Sequence, residues 1–410
     1  LNRIKVTYPS KRIPSPPGGD EIMTDQDQQD MADAAFLAEV RAFLDENLTE
    51  DLRTAGRRTI GLFSDIQAGR TWQKRLRARG WAAPAWPKAH GGAGWSPRQR
   101  FLFERECVLN DAPALFAAGV RSLGPLLIEE GSAPQRARYL PAILAGDDLW
   151  CQGFSEPDAG SDLAAIRSRA DRVEDHYRLR GDKIWTTGAH LANRMFALMR
   201  SGPEGGGREG LTFLLIDMGS PGVSVAPVLG LSGEHEFNQV FFDDALVPIG
   251  NRVGAEGQGW RVAKRLMQLA RSNNTPAASV RRALQQACAL ANGPEFTQRL
   301  AALTIDLEAF EQLELRLLPG GQPRPGDDLA PSLLKLVGSE LRQNIATLGL
   351  EAAVPFGAIR HGSSAPDAPL DLIATGAEAT ARYLASRAST IYSGTSEIQR
   401  NLIARGLGAS

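Results

Sequence analysis

Apolar positions recur at helical spacing in the first third of the chain, break into short strand-like runs in the middle, and return to helical spacing until the end. Ala34–Leu48 places Ala35, Leu37, Val40, Phe43 and Leu44 toward one side of a helix. Further helices are expected around Trp72–Arg79, over Arg98–Asn110, and over Ala133–Leu144, where Pro134 is tolerated in the first turn. Between them, Trp81-Ala-Ala-Pro-Ala-Trp-Pro-Lys-Ala-His-Gly-Gly is punctuated by prolines and glycines and reads as a loop.

From about residue 150 the runs become Tyr177–Arg180, Lys183–Thr187, Arg194–Met199, Leu211–Ile216, Val223–Val228 and Val240–Phe242. Strands separated by Gly, Asp and Ser turns predict a small barrel or sandwich. After Gln258, Leu300, Leu303, Leu307, Phe310 and Leu313 line one helix. Leu333, Leu336, Val337, Leu341, Ile345 and Leu348 line a second, and Asp371–Ser386 and Glu397–Arg405 supply two more. Such stripes must be buried against one another, which predicts an antiparallel bundle. The expected class is α+β multidomain. Its parts are an N-terminal helical domain over 31–149, a β-barrel or sandwich over 150–252 and a helical bundle over 253–410. Residues 1–30, rich near their start in Pro, Gly and charge, are expected to be disordered or extraneous, with Met23 or Met31 as natural starts.

With 410 residues, 43% of them hydrophobic, there is material for two or three domain cores. A formal net charge of −1 and evenly scattered Lys and Arg give no field to attract nucleic acid or a membrane surface. Cys107, Cys151 and Cys288 lie far apart, which argues against a disulfide framework or a zinc site and fits a reducing, cytoplasmic setting. No apolar run approaches the ~20 residues of a membrane helix, and no secretory leader is expected.

Three segments carry candidate chemistry. In Gln152-Gly-Phe-Ser-Glu-Pro-Asp-Ala-Gly-Ser-Asp-Leu, small residues allow close backbone approach, and Ser155, Ser161 and backbone N–H groups can donate to carbonyl or phosphate oxygens. In Lys183-Ile-Trp-Thr-Thr-Gly, Trp185 followed by hydroxyls offers an aromatic face and hydrogen bonds to a planar heterocycle. In Ile391-Tyr-Ser-Gly-Thr-Ser-Glu-Ile-Gln-Arg, a turn enters a helix with Glu397 near its positive end. Taken singly, each also reads as ordinary structure: a polar turn, a buried strand Trp beside surface threonines, a helix cap.

In order and spacing, together, they resemble the acyl-CoA dehydrogenases from about residue 34 to the end. Gly80-Trp-Ala-Ala-Pro-Ala-Trp-Pro, Phe241-Phe-Asp-Asp-Ala-Leu-Val-Pro and Gly254-Ala-Glu-Gly-Gln-Gly-Trp extend the likeness. The resemblance implies a helical domain, a central β-domain, a C-terminal four-helix bundle, FAD and a thioester substrate usually carried on coenzyme A. It places Gln152, Phe154, Ser155, Ser161, Trp185, Thr187, Thr395 and Glu397 at the cofactor, with Phe154, Ser155, Trp185 and Thr187 around the isoalloxazine ring. Ser161 and Arg271 are implied for the substrate. The redox chemistry belongs to the cofactor, and the protein supplies orientation and electrostatics.

The sequence departs from that pattern in two places. The usual general base is a Glu immediately before the Gly-Thr of the last motif, and here that position is Ser393. The other position used in the family, a Glu before an Arg on a bundle helix, corresponds to Ala270-Arg271. There Ser272-Asn-Asn-Thr-Pro276 reads as a helix break, with Thr275 capping the next helix. A serine hydroxyl needs an activating partner to act as a base near neutral pH. The Arg–x–x–Phe–Gly loop and the Gly-rich turn that family members lend to a neighbouring subunit's FAD are replaced by Ala291-Asn-Gly-Pro-Glu-Phe-Thr and Leu350-Glu-Ala-Ala-Val-Pro-Phe-Gly-Ala.

The expected function is therefore α,β-desaturation of an acyl-CoA, performed with a related partner subunit. Such paired subunits occur in the family for steroid-derived thioesters in actinobacteria. A catalytically silent partner subunit and a divergent flavin-dependent monooxygenase or hydroxylase are the alternatives. The assembly is expected to be a homo-oligomer or a heterotetramer, passing electrons to an electron-transfer flavoprotein or another acceptor. Should a homomer hold FAD firmly, Arg299, Arg360 and His361 are the first candidates for its pyrophosphate.

Overall fold

The computed structural model describes residues 25–203, 206–269, 276–291, 293–318, 327–353 and 370–408. Six helices come first: α1 (Asp25–Asn47), α2 (Glu50–Arg57), α3 (Ile66–Arg79), α4 (Pro97–Leu109), α5 (Gly124–Glu130) and α6 (Ala133–Ala145). α1 begins at Asp25, so it reaches into the 1–30 segment expected to lack structure. Both α4 and α6 start with a capping box. Ser96 with Gln99, and Ser132 with Gln135, exchange side-chain and backbone hydrogen bonds, and a proline occupies the first turn of each helix. Val40, Phe43 and Leu44 of α1 are buried against Trp72, Leu76 and Trp81, while Ala35 faces outward.

Eight strands follow: β1 (Trp150–Gly153), β2 (Arg169–Val173), β3 (His176–Lys183), β4 (Arg194–Arg200), β5 (Leu211–Asp217), β6 (Val223–Val228), β7 (Phe237–Pro248) and β8 (Arg252–Val253). They form one sheet in the order β6-β7-β3-β2-β4-β5-β8, with β1 parallel to β4. The hydrogen-bonded path does not return to its start, so the domain is an open sheet rather than a closed barrel. Successive side chains of β4 serve opposite faces. Phe196 and Leu198 pack with Phe213, Trp150, Leu126 and Val262 toward the helices. Met195, Ala197 and Met199 pack with Leu179, Val240 and Phe242 of β3 and β7 in a second core. β4 is thus buried on both sides, which explains its continuous apolar run.

One expected strand is cut short. β3 ends at Lys183, and Ile184–Thr187 form a bend. Trp185 takes φ 59°, a left-handed backbone that ends the extended run.

The C-terminal part contains α7 (Gly259–Leu269), α8 (Ala277–Leu290), α9 (Thr297–Arg316), α10 (Ala330–Ala352), α11 (Leu370–Ser386) and α12 (Ser396–Gly406). α7 packs on the sheet, and α10 runs through the middle of the bundle against α8, α9, α11 and α12. Leu303, Leu307 and Phe310 of α9 are buried as the spacing predicts. On α10 the reading through Val337 is off: Val337 is exposed and Leu334 is buried. A helix enclosed on several sides has no single apolar stripe, and Lys335 and Ser339 are buried on it as well.

Candidate functional site: a loop-built cleft beside an interdomain cavity

The bend after β3 is held from behind by a buried ion pair. Lys183 is 0% exposed, and its Nζ donates to Glu156 Oε1 at 2.6 Å and to the Leu198 carbonyl at 2.7 Å. Glu156 also accepts from the backbone N–H of Arg167 and Ser168 at 2.6 and 3.0 Å. Burial pushes the Glu156 carboxyl up, but Lys183 and these N–H donors outweigh it and hold the group below its ordinary value. The Ser155 carbonyl accepts from the Ile184 N–H at 2.9 Å. The Ser155 loop and the Trp185 bend are therefore one unit, although they are far apart in sequence.

Trp185 is 59% exposed, and its ring stands edge-on to Phe237 with centroids 6.1 Å apart. A non-glycine residue in the left-handed region with a large apolar face in solvent is a mark of a binding surface. The buried Asn238 ties down the next residue. Its amide donates to the Thr186 carbonyl at 3.0 Å and contacts His190 and His235, whose rings stack at 3.8 Å. Burial, aided by His235, pulls the His190 imidazole below its ordinary value. The Thr186 hydroxyl is buried without a partner. Thr187 is half-buried; Gln152 and Ser161 are exposed. The Phe154 ring is buried against Phe196 and Phe213.

The last motif builds a turn. Ser393 has φ 57° and Gly394 φ 90°, and Thr395 caps α12 by accepting from the Ile398 N–H at 3.3 Å. Glu397 lies exposed in the first turn, where local hydrogen bonds lower its carboxyl. Ser396 is buried with its hydroxyl unpartnered. Beneath the turn, the buried Lys335 donates to the Ser389 carbonyl and stands 5.3 Å from the Tyr392 ring centroid. Arg271 lies outside the described residues, as do Ala270, Thr275, Arg360 and His361. Arg299 forms an exposed ion pair with Glu351.

FAD fits these residues. An exposed indole on a fixed bend supplies a stacking face, and the orphaned hydroxyls of Thr186 and Ser396 supply unused hydrogen-bonding capacity in both motifs. Among the described residues no cluster of three or more His, Cys, Asp or Glu could hold a metal ion.

A cavity of about 680 Å³ lies between the N-terminal helices and the bundle. Its lining is largely apolar, with Trp81, Phe103, Val120 and Ile345 among the walls. Trp185, Ser155 and Ser393 do not line it. Glu236, a residue that the sequence reading missed, ties the cavity wall to the segment after the Trp185 bend. Its carboxylate accepts from the N–H of Leu62, a wall of the cavity, and its carbonyl accepts from the Gly188 N–H at 2.7 Å. Burial pushes the Glu236 carboxyl up, with Leu62 and Arg342 opposing. Nothing local marks this Glu in the sequence, since its importance comes from contact with a residue 174 positions away.

Lys335 offers a test of the turn's support. Burial draws its ammonium down to about 8 from the ordinary 10.5. Between those two pH values the unfolded chain binds a proton that the folded chain does not, so folded stability should rise with pH. Denaturant titrations of the protein and of Lys335→Met from pH 7 to 10 should show the native protein gaining on the variant above pH 8. A constant difference would place the amine in solvent.

A helical domain, a β-domain and a helical bundle, with an apolar cavity and an exposed indole on a fixed bend, suit an FAD-dependent dehydrogenase. Family models agree along nearly the whole chain. The acyl-CoA dehydrogenase N-terminal domain matches residues 31–147, the middle domain 151–245 and the C-terminal domain 257–408. The chain belongs to the acyl-CoA dehydrogenase family, whose members are oxidoreductases acting on acyl-CoA. It is 35% identical over 383 residues to the acyl-CoA dehydrogenase IpdE1 of Mycobacterium tuberculosis, covering 90% of this chain and 95% of that protein. Among solved structures it is similar to the Tcur3481-Tcur3483 steroid ACAD, with TM-score 0.77, 25% identity, and 92% and 97% of the two chains covered. It is also similar to the ChsE4-ChsE5 complex from Mycobacterium tuberculosis, with TM-score 0.76, 26% identity, and 92% and 96% covered. No described helix is long and apolar enough to cross a membrane.

Proposed function

We propose that the chain is an FAD-binding acyl-CoA dehydrogenase subunit that works with a related partner subunit on a thioester with a bulky, steroid-type acyl group. The observation that carries the reading is the combination of an exposed Trp185 on its fixed bend with a non-acidic Ser393 turn. The similarity to the Tcur3481-Tcur3483 steroid ACAD and to the ChsE4-ChsE5 complex supports both the pairing and the substrate class.

FAD, when bound, supplies the acceptor for the two electrons that leave the substrate. Trp185 would offer a face to the ring system, and Thr187 with the Ser155 backbone would hold its polar edge. The orphaned Thr186 and Ser396 hydroxyls, with the N-terminus of α12, suit the cofactor's oxygens. The cavity excludes water from the acyl group, which strengthens the electrostatics of α-proton removal. The proton goes to a carboxylate of the partner subunit, because Ser393 offers none.

Co-expression with a related family member that carries the Glu should give a heterotetramer with fewer FAD molecules than subunits, and the chain alone should hold FAD weakly. The lost lending loop and Gly-rich turn leave a homomer with an incomplete phosphate clamp, and a partner that carries them stabilises the cofactor by mass action. Native mass determination with flavin quantification reads this. A homotetramer saturated with one FAD per chain overturns it.

A further inference from the structure

Among the described residues five arginines line the cavity, and three of them come from the bundle: Arg282 of α8, Arg342 of α10 and Arg382 of α11. They lie close enough together for Arg342 and Arg382 each to disfavour the charge on Arg282. Burial is the larger influence on Arg282 and pulls its guanidinium below its ordinary value. Arg382 is partly occupied, donating to the Arg57 carbonyl at 3.0 Å and to Glu378 at 2.8 Å, but its Nε is buried without a partner. Neither Arg282 nor Arg342 makes a hydrogen bond or ion pair among the described residues.

Among the described residues the acids nearby are already engaged: Glu104 and Glu129, which also line the cavity, pair with Arg121 and Arg265. Asp111, the carboxylate that favours charged Arg282, is itself 3.4 Å from Arg57. Glu236 faces Arg342, but its carboxylate is engaged by the Leu62 N–H and burial disfavours its ionised form. A hydrocarbon filling this cavity would leave up to ten guanidinium N–H donors of Arg282 and Arg342, about five each, without acceptors. Buried donors are nearly always satisfied, and a buried charge is costly unless paired.

We infer that the cavity takes an acyl group bearing acceptor oxygens, which Arg282 and Arg342 bind, rather than a plain hydrocarbon chain. This rests on the acyl-CoA reading above and narrows its substrate class. The strongest fit is a carboxylate, since a planar guanidinium pairs with it through two parallel hydrogen bonds. A ketone or hydroxyl oxygen satisfies the same donors with less charge compensation. The apolar walls then hold the carbon skeleton, and the arginines fix which end of it points where. Coenzyme A phosphates are a second source of oxyanion, and they are separated from the first by experiment.

The test is calorimetric binding to the full chain, in complex with its partner where one co-purifies. The probes are octanoyl-CoA, 7-oxooctanoyl-CoA, the mono-CoA thioester of octanedioic acid and coenzyme A itself. The dioic thioester should bind tightest and octanoyl-CoA weakest of the three thioesters, separated by about 10- to 100-fold, the range of a charged hydrogen bond. Arg282→Gln, and separately Arg342→Gln, should bring the ratio of dioic to plain affinity down toward one. The variants' thermal unfolding is recorded alongside, so a misfolded variant is recognised and the other decides. Equal affinity of the native protein for the plain and dioic thioesters overturns the inference while leaving the acyl-CoA reading intact. So does an equal loss for every probe, coenzyme A included, which would assign the arginines to the phosphates. Failure of all three thioesters to bind removes the acyl-CoA reading, and the inference with it.

Discussion

Purified alone, the chain should turn over simple acyl-CoAs about 10²–10⁴-fold more slowly than an assembly that places a carboxylate at the substrate's α-carbon, the usual contribution of a positioned general base. Ser393 occupies the turn position, with φ 57° and an exposed side chain. Among the described residues its hydroxyl has no basic partner, and only its carbonyl is engaged, by Gln399 at 3.4 Å. Ser393→Glu should recover part of the deficit, because the left-handed turn already presents the side chain. The assay uses an artificial electron acceptor, with and without the partner subunit. Strong turnover by the unmodified homomer would show that the chain has its own base. Glu236 would then be the first residue to replace, since its carboxyl is raised by burial and its backbone holds Gly188 of the cleft.

Lys183→Met should destabilise the protein by about 3–5 kcal/mol, the cost of leaving one member of a buried ion pair without the other. Glu156 would keep its two backbone donors but lose its counter-charge. The double variant Lys183→Met with Glu156→Gln should recover part of the loss, because no buried charge remains. The pH dependence has a definite sign. In the native protein the Glu156 carboxyl lies below its ordinary value, so its contribution is present above about pH 4.5 and is lost as pH falls through the folded value. In Lys183→Met the deficit should shrink at acid pH, where protonated Glu156 needs no partner. Urea titrations at neutral and acid pH measure both. A loss below about 1 kcal/mol would put the pair in the class of solvent-exposed bridges. Flavin retention should fall together with stability, since the pair anchors the Trp185 bend.

The element types, their order and the family membership were legible in the chain itself. Helical and strand periodicities depend on residues a few positions apart, and each family motif is a contiguous segment, so both are written locally. Capping boxes at Ser96 and Ser132 belong to the same local grammar. The errors fell where local pattern and environment part company. Lys183–Thr187 has strand composition, but the anchoring of Lys183 and Asn238 turns the backbone at Trp185. The stripe through Val337 assumed one buried face on a helix that is packed on several. The Arg282, Arg342 and Arg382 cluster and the reach of Glu236 to Leu62 had no signal at all in the sequence. Those side chains come from different helices and domains, and charges scattered along a chain acquire a common field only when packing brings them together and excludes the water that would otherwise screen them.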